Sequence, residues 1–188
     1  MKYLFVILII LFSDIAYSQT NFGFTDATIV YKRGDSILCL IKREVNYGDA
    51  ITYKMHQDAD ENQVGAKYIK SIRIASKYLE NIVIENKEKL ATLTMSGNIS
   101  LYDYVETQKG EAVKIPNTGG GMMAPIKVII HYIVKKGDQF QEIKEKSFKK
   151  SLTDLLVDCP EIIAKLENND YSFADIPKVI KEYNSCKN

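Results

Sequence analysis

The stretch ATIVYKRGDSILCLIKREV occupies residues 27–45 and decides the fold. It holds two runs of apolar residues, 29–31 and 37–41, with Arg33-Gly34-Asp35-Ser36 between them. Glycine permits the positive φ that a tight reversal requires, and runs of this kind on either side of a turn are typical of strands. The stretch therefore predicts an antiparallel β-hairpin.

Further strands are predicted after this hairpin. Several runs alternate between apolar and polar residues with a period of two, which indicates a sheet with one wet face and one packed face. Turn residues separate the runs, as at Ser96-Gly97-Asn98. Between two of the strands, the polar and glycine-rich segment 107–125 is predicted to be a flexible loop. The predicted strands are 50–55, 68–74, 78–85, 90–95, 99–104, 126–134 and 140–143.

After Glu145 the apolar period changes from two to about 3.6, which predicts three short helices. Asp158 and Pro160 suit the cap and the first turn of the second helix. Helices that follow a run of strands are expected to cover the sheet. The fold class is therefore predicted to be α+β: a mostly antiparallel sheet or partly open barrel in residues 19–145, capped by the helices of 146–188, as one domain.

The N-terminus has the pattern of an export signal. A short basic start precedes an unbroken apolar run at residues 3–12, and Ala16-Tyr17-Ser18 supplies the small residues that signal peptidase reads. Residues 1–18 are therefore expected to be removed, leaving an exported chain in the periplasm or outside the cell, with no transmembrane span. A membrane anchor is the alternative, but it needs roughly 20 apolar residues, and Ser13 interrupts the run.

Composition excludes several classes of protein. The 188 residues carry 25 lysines and arginines against 24 aspartates and glutamates, a net charge of +1. Nucleic-acid binding generally requires a basic patch, so we expect no nucleic-acid partner. With 46% hydrophobic residues, the chain has the composition of an ordinary globular domain rather than that of a disordered one.

The three cysteines differ in context. Cys39 lies in an apolar strand, where a small side chain is expected to be buried. Cys159 and Cys186 lie in the helical tail, and after export they can form a disulfide. The alternative is three reduced, buried thiols.

Two short motifs are better explained by turns and loops than by ligand binding. Gly119-Gly120-Gly121 lacks the Lys-Ser or Lys-Thr pair of a phosphate-binding loop. Arg33-Gly34-Asp35 matches a cell-adhesion tripeptide but stands where the hairpin needs its turn. We therefore expect neither a nucleotide site nor adhesion through this tripeptide, and no cofactor.

The two histidines do not identify a catalytic or metal site. His56 stands beside acidic residues that are more typical of a solvated turn than of a calcium loop, because the loop's glycine and distal glutamate are missing. His131 lies in the middle of a strand, where a half-buried, hydrogen-bonded imidazole is the ordinary case. Neither histidine has a nucleophile at an identifying spacing. The acidic residues near His56 are Asp58, Asp60 and Glu61.

Two surfaces could bind a partner. Lysines 144, 146, 149 and 150 precede or enter the first helix, and such runs are usually solvated faces, with acidic lipid headgroups or polysaccharide as a minority interpretation. Strand tyrosines could line a ligand groove, although aromatic residues at strand spacing more often pack within the sheet. The tyrosines of this possible binding face are Tyr102, Tyr104 and Tyr132.

Three segments resemble a family of uncharacterised exported proteins of Gram-negative bacteria. They are Gly34-Asp35-Ser36-Ile37-Leu38, Gly97-Asn98-Ile99-Ser100-Leu101-Tyr102, and the tail from Asp158-Cys159-Pro160 to Tyr183-Asn184-Ser185-Cys186. The family has no assigned activity. The resemblance implies compartment and fold, and no catalytic residues follow from it.

The sequence thus favours a non-catalytic binding or accessory module of the cell envelope over an enzyme. Its partner would be an envelope protein, a glycan or a small ligand. One alternative is a hydrolase that uses carboxylates of the acidic turn at residues 58–61. The other is a structural envelope protein.

Overall fold

The computed structural model describes residues 23–43, 47–110, 113–114, 122–123 and 126–186. The predicted signal peptide lies outside these residues. Ten strands form one antiparallel sheet, a half-barrel, and a further pair stands apart from it. The strands are β1 (Phe24–Tyr31), β2 (Ser36–Lys42), β3 (Ala50–Lys54), β4 (Asn62–Gly65), β5 (Ile69–Ile74), β6 (Lys77–Ile84), β7 (Lys87–Met95), β8 (Ser100–Lys109), β9 (Val113–Lys114), β10 (Met122–Met123), β11 (Ile126–Lys136) and β12 (Gln139–Ile143).

Three helices follow the sheet, as the change of period predicts. They are α1 (Phe148–Leu155), α2 (Pro160–Glu167) and α3 (Ile176–Cys186). Among the helices of the described residues, none has the length and apolar character needed to cross a membrane. The predicted α+β fold, with an antiparallel sheet and three C-terminal helices, is confirmed.

The ten-stranded sheet runs in the order β12-β11-β8-β7-β6-β5-β1-β2-β3-β4. The opening hairpin is confirmed: β1 pairs with β2, and Gly34 in its turn has a φ of +102°. Most neighbours in the order are also neighbours along the chain, as short turns require. Strands β5 and β8 form the exceptions, because β5 pairs with β1 and β8 pairs with β11.

Each face of the sheet buries a different part of the core. The cross-strand register Leu79–Thr92–Asp103–Tyr132 defines one face, called here the helix-side face. Side chains of this face pack with the three helices at one end and enclose a second apolar core at the other end. The opposite face, called here the cavity-side face, carries a smaller core. Its buried residues are Ile82, Ala91, Tyr102 and Ile133.

The cavity-side face is curved. Strand β12 approaches β6 although three strands separate them in the sheet order. The small core is therefore enclosed by five strands, β6, β7, β8, β11 and β12. At one end of these strands the enclosed space forms a cavity.

The tail cysteines are positioned as the sequence predicts. Cys159 and Cys186 lie at disulfide distance, with their Cα atoms 6.9 Å apart, so the start of α2 is linked to the end of α3. Cys39 is free and 5% exposed, as expected for a buried strand residue. Burial raises the pKa of its thiol to about 11.

Three local features differ from the sequence-based expectations. The residue that caps α2 is Cys159, while both carboxylate oxygens of Asp158 accept from the Tyr183 hydroxyl at 3.0 Å. Strand β4 was not predicted, because its sequence NQVG has no strand pattern. Strand β8 continues through Lys109, so the described part of segment 107–125 begins as strand, and β9 pairs with β10 inside that segment.

Candidate functional site

The cavity has an imidazole at its centre. His131 projects from β11 on the cavity-side face, two residues from the buried Ile133. Its Nδ1 lies 2.7 Å from Oε1 of Glu142 on β12. A carboxylate can only accept, so Nδ1–H donates in this contact and the orientation of the ring is fixed.

The second ring nitrogen faces another carboxylate. His131 Nε2 lies 3.2 Å from Oε2 of Glu106 on β8, and the Glu106 side chain is 45% exposed. The two atoms are close enough for an ion pair, but their angle is not that of a hydrogen bond, and Nε2 is buried without a hydrogen-bond partner. The imidazole is thus held between carboxylates from the two strands that flank β11.

Tyr104 forms one wall against the imidazole. The rings of Tyr104 and His131, which are direct cross-strand partners, stack with centroids 4.4 Å apart and an interplanar angle of 2°. Burial, with smaller effects from Glu142 and Glu106, raises the pKa of Tyr104 to about 12. The phenol therefore remains neutral and its ring shields one face of the histidine.

Positive charges also line the cavity. Lys89 projects from β7 with its Nζ 5.7 Å from the Tyr104 ring centre and 2.6 Å from Oδ1 of Asp49. Lys144 pairs with Glu85, and this hydrogen bond raises the pKa of Lys144 and lowers that of Glu85. Both ammonium groups are therefore held in place by carboxylates at the rim.

The cavity measures about 430 Å³, which is within the range of small-molecule sites. Its charged lining carries both signs, and the rest is aliphatic or aromatic. The charged residues and the histidine are Glu85, Lys87, Lys89, Glu106, His131, Glu142, Lys144 and Glu145. A lining of this kind suits a small ligand that carries both an amine and a carboxylate.

Each ring nitrogen of His131 is either engaged or buried. A general base needs a nitrogen that reaches the proton of a bound substrate. In His131, Nδ1 is engaged by Glu142 and Nε2 is buried against Glu106. The two carboxylates lie at opposite nitrogens of the ring and do not converge on one point. Within the described ranges, no group of three or more His, Cys, Asp or Glu residues is placed to hold a metal ion.

The three tyrosines of the possible binding face do not form one surface. Tyr104 lines the cavity, while Tyr102 on the same face is 4% exposed and donates to Oε2 of Glu80 at 2.7 Å. Tyr132 lies on the helix-side face, with its ring 5.5 Å from that of Phe173. Alternation along the strands explains the division, because residues 102 and 104 share a face and 132 pairs with Asp103 between them.

The acidic turn near His56 has a different environment. Asp58, Asp60 and Glu61 are exposed, and Glu61 pairs with Lys42 at 3.3 Å. None of the three lines the cavity beside His131. His56 borders a shallower groove of about 500 Å³ with Leu38 and Met55 among its walls. The geometry gives no catalytic grouping at this turn.

Other predicted motifs serve local structure. The Arg33 guanidinium pairs with the Asp35 carboxylate within the hairpin turn. The two charged side chains of the adhesion-like tripeptide therefore bind each other. In the lysine run, Lys144 pairs with Glu85 and Lys149 with Asn169. The triple glycine at 119–121 lies outside the described residues.

The two carboxylates that hold His131, Glu106 and Glu142, were not among the residues predicted from the sequence. The final hairpin, with its turn at Lys136-Gly137-Asp138, contained a usable signal, since its register places position 142 near position 131. Glu106 could not be found in this way, because it lies beyond the end of the predicted strand 99–104, in a part of β8 that was not predicted as strand.

No protein-family model matches this sequence, and comparison with curated proteins and with solved structures likewise gives no match. The site must therefore be interpreted from its own geometry.

Proposed function

We propose that this chain is an exported, non-catalytic binding module of the cell envelope. We propose that it holds a small ligand with both an amine and a carboxylate in the cavity beside His131. The observation that supports this proposal is a cavity of ligand size whose only imidazole has both nitrogens engaged or buried. In this proposal the histidine, fixed by Glu142, orients the groups around the ligand.

The charge pattern supports this class of ligand. Glu106 is half exposed, and its contact with His131 lacks hydrogen-bond geometry, so its carboxylate retains acceptor capacity for an amine. Lysines 87, 89 and 144 also line the cavity and can bind a carboxylate. Hydrogen bonds between charged groups are about twice as strong as neutral ones.

Peptides released from the bacterial cell wall have this chemistry and would meet an exported protein. The test is isothermal titration of the chain with soluble muropeptides, in parallel for the wild type, Glu106→Gln and Glu61→Gln. Both glutamate side chains are 45% exposed, but only Glu106 lines the cavity. We expect binding that weakens about tenfold in Glu106→Gln, with no change in Glu61→Gln. Absence of binding, or an equal effect of both variants, contradicts the proposal.

The proposed compartment has its own test. Expression from Met1 in a Gram-negative host, followed by N-terminal sequencing of the purified protein, should give a chain that starts at Gln19. An intact Met1 on protein recovered from the cytosol would contradict export while leaving the binding proposal standing.

A further inference from the structure

One segment of β11 has an open edge. Strand β12 pairs with β11 only at Tyr132–Lys136, whereas β8 accompanies β11 from Ile126 onward on the other side. From Ile126 to His131, no described strand pairs with β11 on the side that β12 vacates. Alternate backbone N–H and C=O groups of this segment therefore point away from the sheet, as at any unpaired edge.

The open segment also carries exposed apolar side chains. On the helix-side face, Ile126 is 65% exposed, Val128 54% and Ile130 44%. Three large aliphatic residues in a row on one face, beside an unpaired edge, are unusual for a surface. The other open end of the sheet is different, because β4 is only four residues long and includes polar Asn62 and Gln63.

The sequence of this edge is complementary to itself. In an antiparallel pair about a two-fold axis through Val128, Val128 faces the partner's Val128, and Ile126 faces the partner's Ile130. Lys127 then faces the partner's Ile129, so no like charges are directly opposed. A shift of the axis to Ile129 would place Lys127 opposite the partner's His131. Cross-strand pairs of aliphatic residues stabilise an antiparallel sheet, whereas like charges directly opposite destabilise it.

We propose that the chain forms a homodimer in which the edge 126–130 of β11 pairs antiparallel with the same edge of a second copy, about a two-fold axis at Val128. Strand β12 bounds the pairing at Tyr132. The join continues the sheet from one subunit into the next.

The dimer also supplies a charge to the cavity. Glu106 is the cross-strand partner of Ile129, and the partner's Lys127 faces Ile129 from the other side. Neighbouring strands are about 4.8 Å apart, so the two Cα atoms lie two strand spacings apart on the cavity-side face. The long lysine and glutamate side chains can span this distance. Lys127 of the partner subunit therefore borders the site of Glu106 and His131.

The first measurement is the mass of the full chain in solution, by sedimentation equilibrium. We expect a dimer in the wild type. Val128→Lys places two ammonium groups opposite each other and should raise the dimer dissociation constant by at least about tenfold. Val83→Lys is the matched control, because Val83 is a strand valine of similar exposure, 57% against 54%. A monomeric wild type, or equal dissociation of both variants, overturns the proposal.

The register is tested by oxidative cross-linking of single-cysteine substitutions. Directly opposed residues have Cβ atoms about 4.5–5.5 Å apart, close to the reach of a disulfide. Val128→Cys should form a cross-linked dimer alone. Ile126→Cys should cross-link only when it is mixed with Ile130→Cys, and Val83→Cys should not cross-link. Cross-linking of Ile126→Cys with itself, or none by Val128→Cys, rules out this pairing. Since no ligand is used, failure here is separate from failure of the binding proposal.

Discussion

The side-chain amide of Asn184 in α3 makes two hydrogen bonds to the backbone of Ile99, 85 residues earlier. Its Nδ2 donates to the Ile99 carbonyl at 2.8 Å, and its Oδ1 accepts from the Ile99 N–H at 2.9 Å. The amide thus acts as a strand partner for the residue just before β8, and it anchors the last helix to the sheet. Ile99 is fully buried, so these backbone groups have no access to water as a substitute.

This contact explains the glycine at position 97. A Cβ added to Gly97 would lie 2.4 Å from Nδ2 of Asn184. Two segments that lie far apart in the sequence, the one beginning at Gly97 and the one around Tyr183-Asn184, therefore meet in the structure.

The first prediction concerns this contact. Asn184→Ala leaves two buried backbone groups unpaired and should lower the free energy of unfolding by about 2–6 kcal/mol, since each unsatisfied group costs roughly 1–3 kcal/mol. Gly97→Ala should also destabilise, and the effect of both changes together should be smaller than their sum. The measurement is urea unfolding. Gly65→Ala is the control, because its nearest neighbour would be an ordinary 3.9 Å away; additive effects would show that the two sites are independent.

The second prediction uses two aspartates whose pKa values move in opposite directions. Burial raises the pKa of Asp103 above its usual value of 3.8. The protonated side chain therefore stabilises the folded state below that pH, and this stabilisation is lost as the pH rises through the raised folded-state pKa. Asp103→Asn should therefore raise the melting temperature at neutral pH and change it little in acid.

Asp175 provides the contrast. Its carboxylate accepts from the Ser172 hydroxyl at 2.6 Å and from the Ser172 N–H at 2.8 Å, and these bonds lower its pKa. Its contribution is present above the ordinary aspartate pKa and is lost as the pH falls. Asp175→Asn should therefore lower the melting temperature at neutral pH. A shift of both variants in the same direction would contradict the assignment.

Much of the fold was accessible from the sequence because local patterns and long-range packing agree. The hairpin around Gly34 and the helices after Glu145 each have a strong period, and both form where predicted. Strand β4 lacked such a signal, since it is held by pairing with β3 rather than by its own residues. The hydrogen bond of Asp158 could not be predicted from local sequence either, because its partner Tyr183 lies 25 residues away in another helix.

The candidate site was harder to predict than the fold. Alternation along β8 and β11 indicates which residues share a face, and this is sufficient to separate Tyr132 from Tyr104. The curvature that brings β12 towards β6 depends on packing across the whole sheet. A cavity formed by curvature leaves no local pattern in the chain.

The third prediction concerns the tail cysteines. They are 27 residues apart, and a cross-link over a loop of this length contributes roughly 3–4 kcal/mol in the chain-entropy model. Reduction should lower the free energy of unfolding of the wild type by this amount and should not affect Cys186→Ser. The readout is urea unfolding with and without reductant. Equal stability of the oxidised and reduced wild type would exclude a stabilising bridge.

The fourth prediction concerns alkaline stability. Burial raises the pKa values of Tyr31 and Tyr104 from 10.0 to about 12. A raised tyrosine pKa gives stability that is complete below the unfolded value and is lost as the pH rises through the folded value. Stability should therefore fall between pH 10 and about 12, and Tyr104→Phe should make this fall shallower. Ultraviolet titration of phenolate absorbance provides the check, and ionisation of every tyrosine near pH 10 would contradict it.

The central claim is that the cavity beside His131 binds a ligand without converting it chemically. The second histidine of the chain provides an internal control for this claim. His56 and His131 are the chain's only histidines, and His56 is exposed outside this cavity. The measurement is the proton NMR signal of each imidazole during titration with soluble muropeptides. We predict that the His131 resonance shifts, that the His56 resonance stays in place, and that the muropeptide is recovered unchanged. A shift of His56 alone, no shift of either histidine, or the appearance of a reaction product would contradict the account.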